Sequence, residues 1–363
     1  MKLKFDISII AVFIIGCVVA FTMGEILVRT LHLSKTINSY RLDDGTGKNP
    51  FWNLNSVEGN SYNKNLHLGF DNPYHPEFKS NYSITIAGTL FFTNQFGYRG
   101  GYAYQKIPDP SKLRIILIGD SVAFGYRIAF EKLFSTILAD KLLKIRSTEI
   151  LNFGMGGTDT KGNIYNLLRA VEEFHPDIIL YQFGLNDITK PFISQQASKN
   201  KESKASKDKK SILIKTKEEL KHLLRQSALY LFFAERYNYV RLKKGERTKS
   251  FESWTFKAQT INRELQEFEK IFNLLKKKIP ILFMFFPYDW QVYSNDKETK
   301  YIPDILNKFC GEKNVPYIDL TPHFKQYSNQ YDIFLDDAHL SEVGHQITSE
   351  ILFSKLKKMF INL

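Results

Sequence analysis

Beyond residue 112 the apolar and polar positions follow two alternating rhythms. Leu113 to Ile118 is a short, nearly continuous apolar run with β-branched residues, which predicts a strand covered on both faces. Glu149 to Asn152, Asp177 to Phe183, Ile281 to Phe286 and Val315 to Leu320 read the same way. Between them, helical spacing runs over Leu133–Ile145, Gly162–Phe174 and Thr260–Lys278, and a last helix over Ser341–Met359 closes the chain. Strands that alternate with helices form a parallel sheet sandwiched between helical layers. The pattern therefore predicts one α/β domain over 112–363 with a five-stranded parallel sheet. Crossovers in such a sheet are right-handed, and sites form beyond the carboxyl ends of the strands.

The rhythm is different ahead of this domain. Ser34 to Pro110 is rich in Asn, Gly, Tyr and Pro, with turn signals such as Asp71-Asn72-Pro73-Tyr74. Tyr82 to Ile86 alternates polar and apolar, which predicts a strand, and Thr89 to Phe92 is a second candidate. Residues 34–111 read as an irregular, β-containing lead-in. Ile7 to Val28 is almost wholly apolar, with Glu25 as its one charge, and matches the roughly 20 residues that cross a bilayer core as a helix. Lys2 and Lys4 precede it, as expected of an end left in the cytoplasm. Residues 1–33 are expected to form a retained single-span anchor that leaves the rest of the chain outside the cytoplasm. A cleaved secretory signal is one alternative. A lipoprotein signal is the other, because Ile14-Ile15-Gly16-Cys17 resembles a lipobox. The residues after Cys17 stay apolar, whereas a lipid-anchored chain turns polar there.

Charge adds one more segment. The chain of 363 residues carries a formal +12. Residues 190–250 hold 17 Lys and Arg against 6 Asp and Glu, so nearly all the excess sits in an insertion over 190–255. Within it, Ser194–Lys210 is poor in apolar residues and reads as disordered. Lys215–Tyr239 reads as a helix with Leu220, Leu223, Leu224, Tyr230, Leu231 and Phe232 as an apolar face. The insertion is expected to be a solvated appendage, a lid or interaction arm, or a surface for anionic lipid headgroups or an acidic polymer; no nucleic-acid-binding motif accompanies it. Two cysteines, Cys17 and Cys310, offer no disulfide framework, and no CxxC, HExxH or His/Cys cluster suggests a metal.

The candidate chemistry lies in four short blocks, each at a predicted strand end or in the loop beyond. They are Gly119-Asp120-Ser121, Asn152-Phe153-Gly154-Met155-Gly156-Gly157, Gly184-Leu185-Asn186-Asp187 and Asp336-Asp337-Ala338-His339. Ser121 follows a strand and precedes a helix, where its hydroxyl would face the carboxyl edge of the sheet. A hydroxyl is a weak nucleophile and needs a base within hydrogen-bond reach. His339, in a polar loop, is the best base; His323 is a lesser alternative, and His345, inside the last helix, reads as structural. Asp336 is placed to hold the His339 ring in one tautomer, with Asp337 as its competitor. An acyl-transfer intermediate also needs donors for its oxyanion. The candidates are the backbone N–H of Ser121, the backbone N–H of Gly157 and the side-chain amide of Asn186.

Those blocks resemble the SGNH/GDSL hydrolase superfamily, whose named serine, glycine, asparagine and histidine fall on Ser121, Gly157, Asn186 and His339, with Asp336 at the family's acidic position. Gly-Asp-Ser-Val replaces the family's leucine conservatively, and the insertion after Asp187 departs from the pattern. Asn94 to Gly100 (NQFGYRG) looks like the approach to the first block in membrane-anchored bacterial members. The resemblance spans about 112–363. It implies a flavodoxin-like three-layer α/β/α fold, no metal or organic cofactor, and a serine esterase acting on an acylated carbohydrate or lipid. O-acyl transfer to a polysaccharide or lipid is the first alternative, and a non-catalytic envelope scaffold that binds through the basic insertion is the second.

Overall fold

The computed structural model describes residues 7–35, 80–86, 89–100, 103–188, 220, 223–244, 258–275, 279–294, 297 and 299–360. The segment Ser194–Lys210, expected to be disordered, lies outside the described residues, as does most of the lead-in.

Five strands form the main sheet: β3 (Leu113–Ile118), β4 (Thr148–Asn152), β5 (Ile178–Phe183), β6 (Ile281–Phe285) and β7 (Tyr317–Asp319). They lie in the order β4-β3-β5-β6-β7, every neighbouring pair parallel. The chain steps from β3 to β4 on one side, then returns to β5 on the other. The strand order therefore reverses at the carboxyl end of β3, the kind of switch point where α/β sheets open a crevice for ligands.

The two faces are read directly from the period of two along each strand. Ile116, Ile118, Ile179, Tyr181, Phe183, Ile281, Phe283 and Phe285 point to one side. There they meet α4 (Thr160–Phe174), α6 (Ala258–Leu275) and α8 (Ile302–Glu312). Leu113, Ile115, Leu117, Ile178, Leu180, Leu282, Met284 and Ile318 point to the other, against α3 (Phe134–Leu143) and α11 (Glu342–Phe360). This is the three-layer α/β/α arrangement. Helix α8, absent from the sequence reading, buries Ile302, Leu306, Phe309 and Cys310, one helical face over two turns.

A second sheet pairs β1 (Ser83–Ile86) antiparallel with β2 (Thr89–Phe92). Its continuation is built into the main core. Tyr98 and Tyr104 pack on Phe153, and the fully buried Arg99 lies between Phe91 and Phe124, with its guanidinium donating to the Ile128 carbonyl at 2.8 Å. Burial pushes the Arg99 guanidinium down to about 9.

Helix α1 (Ile7–Thr30) contains 20 residues, Ala11–Thr30, long and apolar enough to cross a bilayer and only 6% buried. The helix expected over Lys215–Tyr239 is not continuous. A first turn covers 223–225, and the chain restarts at α5 (Ala228–Lys243), capped by the Ser227 side chain, which accepts from the Tyr230 N–H. The expected apolar face is not a buried face either: Leu231 is buried, but Leu220, Leu223, Leu224 and Tyr230 are exposed. The residues α5 buries are Ala228, Leu231, Glu235 and Leu242.

Candidate active site

Ser121 is the first residue of α2 (Ser121–Phe124), directly beyond β3. Asp120 caps this turn, its carboxylate accepting from the Val122 N–H at 2.7 Å. Helices need such acceptors for their first N–H groups. The turn is tight because the second block presses against it. A Cβ on Gly154 would come within 2.4 Å of the Phe124 backbone nitrogen, so only glycine fits. Asn152 ties the two blocks, its amide donating to the Ala123 carbonyl at 2.7 Å and its Oδ1 accepting from the Gly154 N–H at 2.8 Å.

His339 arrives from the far end of the chain. It lies in the loop between α10 (Gln330–Ile333) and α11, which is closed by the Phe334–Leu340 bridge. Its Nε2 lies 2.8 Å from Ser121 Oγ, 218 residues away in sequence. Its Nδ1 lies 2.9 Å from both Asp336 oxygens. The tautomer that fits this network carries its proton on Nδ1, donating to Asp336, and accepts the Ser121 hydroxyl proton at Nε2. The Asp336 carboxylate also accepts from the Ala338 and His339 N–H groups, and Arg127 lies 3.5 Å from it. Burial alone would raise this carboxyl. The His339 ring, the Arg127 cation and the N–H donors outweigh burial and hold it well below the usual carboxylate range. The backbone carbonyl of Asp337 accepts from the Asp289 N–H of α7 (Asp289–Tyr293).

The other histidines fall away from this point. His345 is buried in α11, stacked on Phe134, and its Nδ1 accepts from the Phe134 N–H at 3.0 Å. Burial, with the Arg99 cation adding repulsion, pushes it down to about 3. His323 belongs to α9 (Thr321–Phe324), beside a cavity of about 530 Å³ lined by Asp319, Glu350 and Lys355.

The candidate oxyanion donors converge unevenly. Gly157 is exposed, with φ at 81°, a left-handed conformation that favours glycine. Among the described residues no acceptor takes the N–H of Ser121 or of Gly157. Asn186, in the 3₁₀ turn Leu185–Ile188 beyond β5, is engaged: its amide donates to Asp120 Oδ2 at 2.5 Å and to the Thr158 carbonyl at 3.3 Å. Asn186 thus joins the turn at Ser121 to the second block, and its amide reaches another acceptor only by turning or sharing. Beneath it, Asp187 accepts from the Gly184 N–H and the Asn163 amide. Burial raises Asp187 well above its usual range, and the neighbouring Asp120 charge adds to the shift; burial raises Asp120 as well.

Two participants were not singled out in the sequence. Asp120 was legible as an acid beside Ser121, but its links to Val122, Gln182 and Asn186 need coordinates. Arg127, in a left-handed conformation with φ at 61°, stacks over Tyr126, whose ring lies 4.7 Å from that of His339. No sequence signal links Arg127 to a residue 209 positions on.

Residues 117–347, from β3 into α11, match the GDSL-like Lipase/Acylhydrolase family. A 75-residue stretch is 28% identical to an arylesterase of Vibrio mimicus, and this chain spans only 38% of that protein's length. Among solved structures, a lipolytic G-D-S-L family protein of Veillonella parvula is 16% identical over 69% of this chain and 99% of its own, with a TM-score of 0.39. An acetylxylan esterase of Geobacillus stearothermophilus is 13% identical over 69% and 96%, with a TM-score of 0.42. With the family match covering well over half of its length, the chain belongs to the GDSL-like lipase/acylhydrolase family.

Proposed function

We propose that this protein is a membrane-anchored serine esterase that works through an acyl-enzyme. The observation that carries the proposal is the linear relay Ser121 Oγ, His339 Nε2, His339 Nδ1, Asp336, every link at 2.8–2.9 Å. As Ser121 attacks an ester carbonyl, His339 takes the hydroxyl proton and then gives it to the leaving alcohol. Asp336 stays ionised throughout, because its surroundings favour the carboxylate, and so stabilises the imidazolium. The N–H groups of Ser121 and Gly157 take the oxyanion, and Asn186 joins them by turning its amide from Asp120. Water then repeats the cycle on the acyl-enzyme. Family membership and the arylesterase match favour an ester over other acyl substrates. Helix α1 serves as the anchor, leaving the sheet domain on the far side of the bilayer from Lys2 and Lys4.

Labelling with a fluorophosphonate tests this reading. The full-length protein should label, and Ser121→Ala should abolish the label without lowering Tm. A well-folded protein that does not label would refute it. A panel of p-nitrophenyl esters of increasing chain length then ranks the acyl group.

A further inference from the structure

The base of α1 is joined to the site edge through a small number of polar contacts. Glu25 of α1 accepts from the Ala228 and Leu229 N–H groups at 2.9 Å and from the Ser227 hydroxyl at 2.8 Å, capping α5. Ten residues on, the Ser34 hydroxyl and the Lys35 N–H donate to Glu235. Helix α5 therefore runs alongside the last turns of α1 in the same direction, with its N-terminal end on the membrane side. The Lys35 ammonium pairs with Asp332 at 3.1 Å. Asp332 lies in α10, and its carbonyl accepts from the Ser341 hydroxyl, so it belongs to the loop that carries Asp336 and His339. Helix α5 also packs on α7, whose Asp289 N–H holds the Asp337 carbonyl. Every element that receives the base of α1 thus lies beyond the carboxyl ends of the strands, on the side of Ser121.

That corner is apolar where it adjoins the span. Leu27, Leu31, Leu220, Leu223, Leu224 and Phe233 are exposed, five of them more than half. Cations sit among them: Arg29 over the Gln226 carbonyl, and the exposed Arg236 against Phe232. An apolar surface fringed by Arg and continuous with a bilayer-spanning helix fits acyl chains and lipid phosphates together.

We propose that this corner is seated in the bilayer interface around α1 and holds the Ser121–His339 edge over the membrane surface, so that the ester it takes is carried by a membrane lipid. The inference rests on the esterase reading above and on α1 crossing the bilayer. Helix α5 is then the device that orients the domain, through its contacts with the base of the anchor.

The test uses the full-length protein in liposomes containing phosphatidylglycerol, with a fluorophore on single introduced cysteines in a Cys17→Ser background. Leu223→Cys and Phe233→Cys are the probes. Val12→Cys reports the span, and Ile107→Cys, 84% exposed and near the amino end of β3, reports water. Lipids brominated near the headgroup should quench the labels at 223 and 233 and leave the one at 107 bright. If 223 and 233 behave like 107 while lipids brominated deep in the chain quench 12, the seating is wrong; if 12 is also unquenched, the anchor reading fails and the seating with it. Turnover separates the substrate half. Wild-type protein should hydrolyse a vesicle-borne lipid ester faster than the soluble ester of the same acyl group. In Leu223→Asp/Phe233→Asp that preference should fall about tenfold or more, as two lost apolar contacts would imply. An unchanged ratio would overturn the proposal. No turnover of either ester, with no fluorophosphonate labelling, would bring down the esterase reading and the substrate half with it, while the quenching still decides the seating.

Discussion

At the carboxyl edge of the sheet, each reactive group is held by the backbone of a strand end or a closed loop. Ser121 sits on a one-turn helix that glycine alone lets lie against the second block, and His339 in a loop clamped by Phe334 and Leu340. The corner between α1 and α5 is held differently. Its contacts are charge-assisted side-chain bonds around Glu25, Glu235 and Lys35; Ser34 and Glu235 are buried, and the Lys35–Asp332 pair is partly exposed. In the proposed esterase the first region tolerates little displacement, because the relay is a set of distances. In the proposed seating the second is separable: breaking a bond there should alter how the domain is presented while leaving the sheet intact. The proposed chemistry and the proposed placement thus depend on different interactions.

Asp336→Asn gives the sharpest test of the edge. It should lower turnover about 10³–10⁴-fold by losing the tautomer that accepts the serine proton, with Tm little changed, whereas Asp337→Asn should cost at most a few-fold. The reverse order in steady-state kinetics would mean that the wrong carboxylate has been chosen. Gly154→Ala should destabilise by about 3 kcal/mol, since the added methyl meets backbone rather than a yielding side chain. A variant with wild-type Tm would show that the turn at Ser121 is looser than its geometry implies.

His345, six residues from His339, gives a pH-dependent effect. Its folded value is pushed down to about 3 from an ordinary 6.5, so the unfolded chain binds its proton first. The stability of the neutral buried ring is intact above about pH 6.5 and is lost as pH falls toward 3, at about 1.4 kcal/mol per unit. Denaturant unfolding at stepped pH should show this slope, and it should be absent from His345→Gln; a slope unchanged by the substitution would assign it to other groups. At the corner, Glu25→Gln should cost about 1–2 kcal/mol locally by weakening a three-donor cap. Hydrogen exchange in detergent should speed at the Ala228 and Leu229 amides and stay unchanged at those of β5 and β6. Faster exchange in the strands as well would show that the two regions are not separable.

Local chemistry made much of this legible in the sequence. Runs of β-branched residues between helical periods determined a parallel sheet, since only strands covered on both faces are apolar at nearly every position. Side-chain type and chain position singled out Ser121, Gly157, Asn186 and His339, because a nucleophile, a base and donors are recognisable wherever the fold brings them together. An apolar stretch with one acid marked α1. Tertiary structure decided the rest. It turned the Asn186 amide to Asp120, set Arg127 against Asp336, gave one histidine a carboxylate and the other a buried N–H, and used Glu25 to cap a helix about 200 residues away. Each of these depends on contacts between distant segments, and periodicity along the chain carries no information about which segment a side chain will meet.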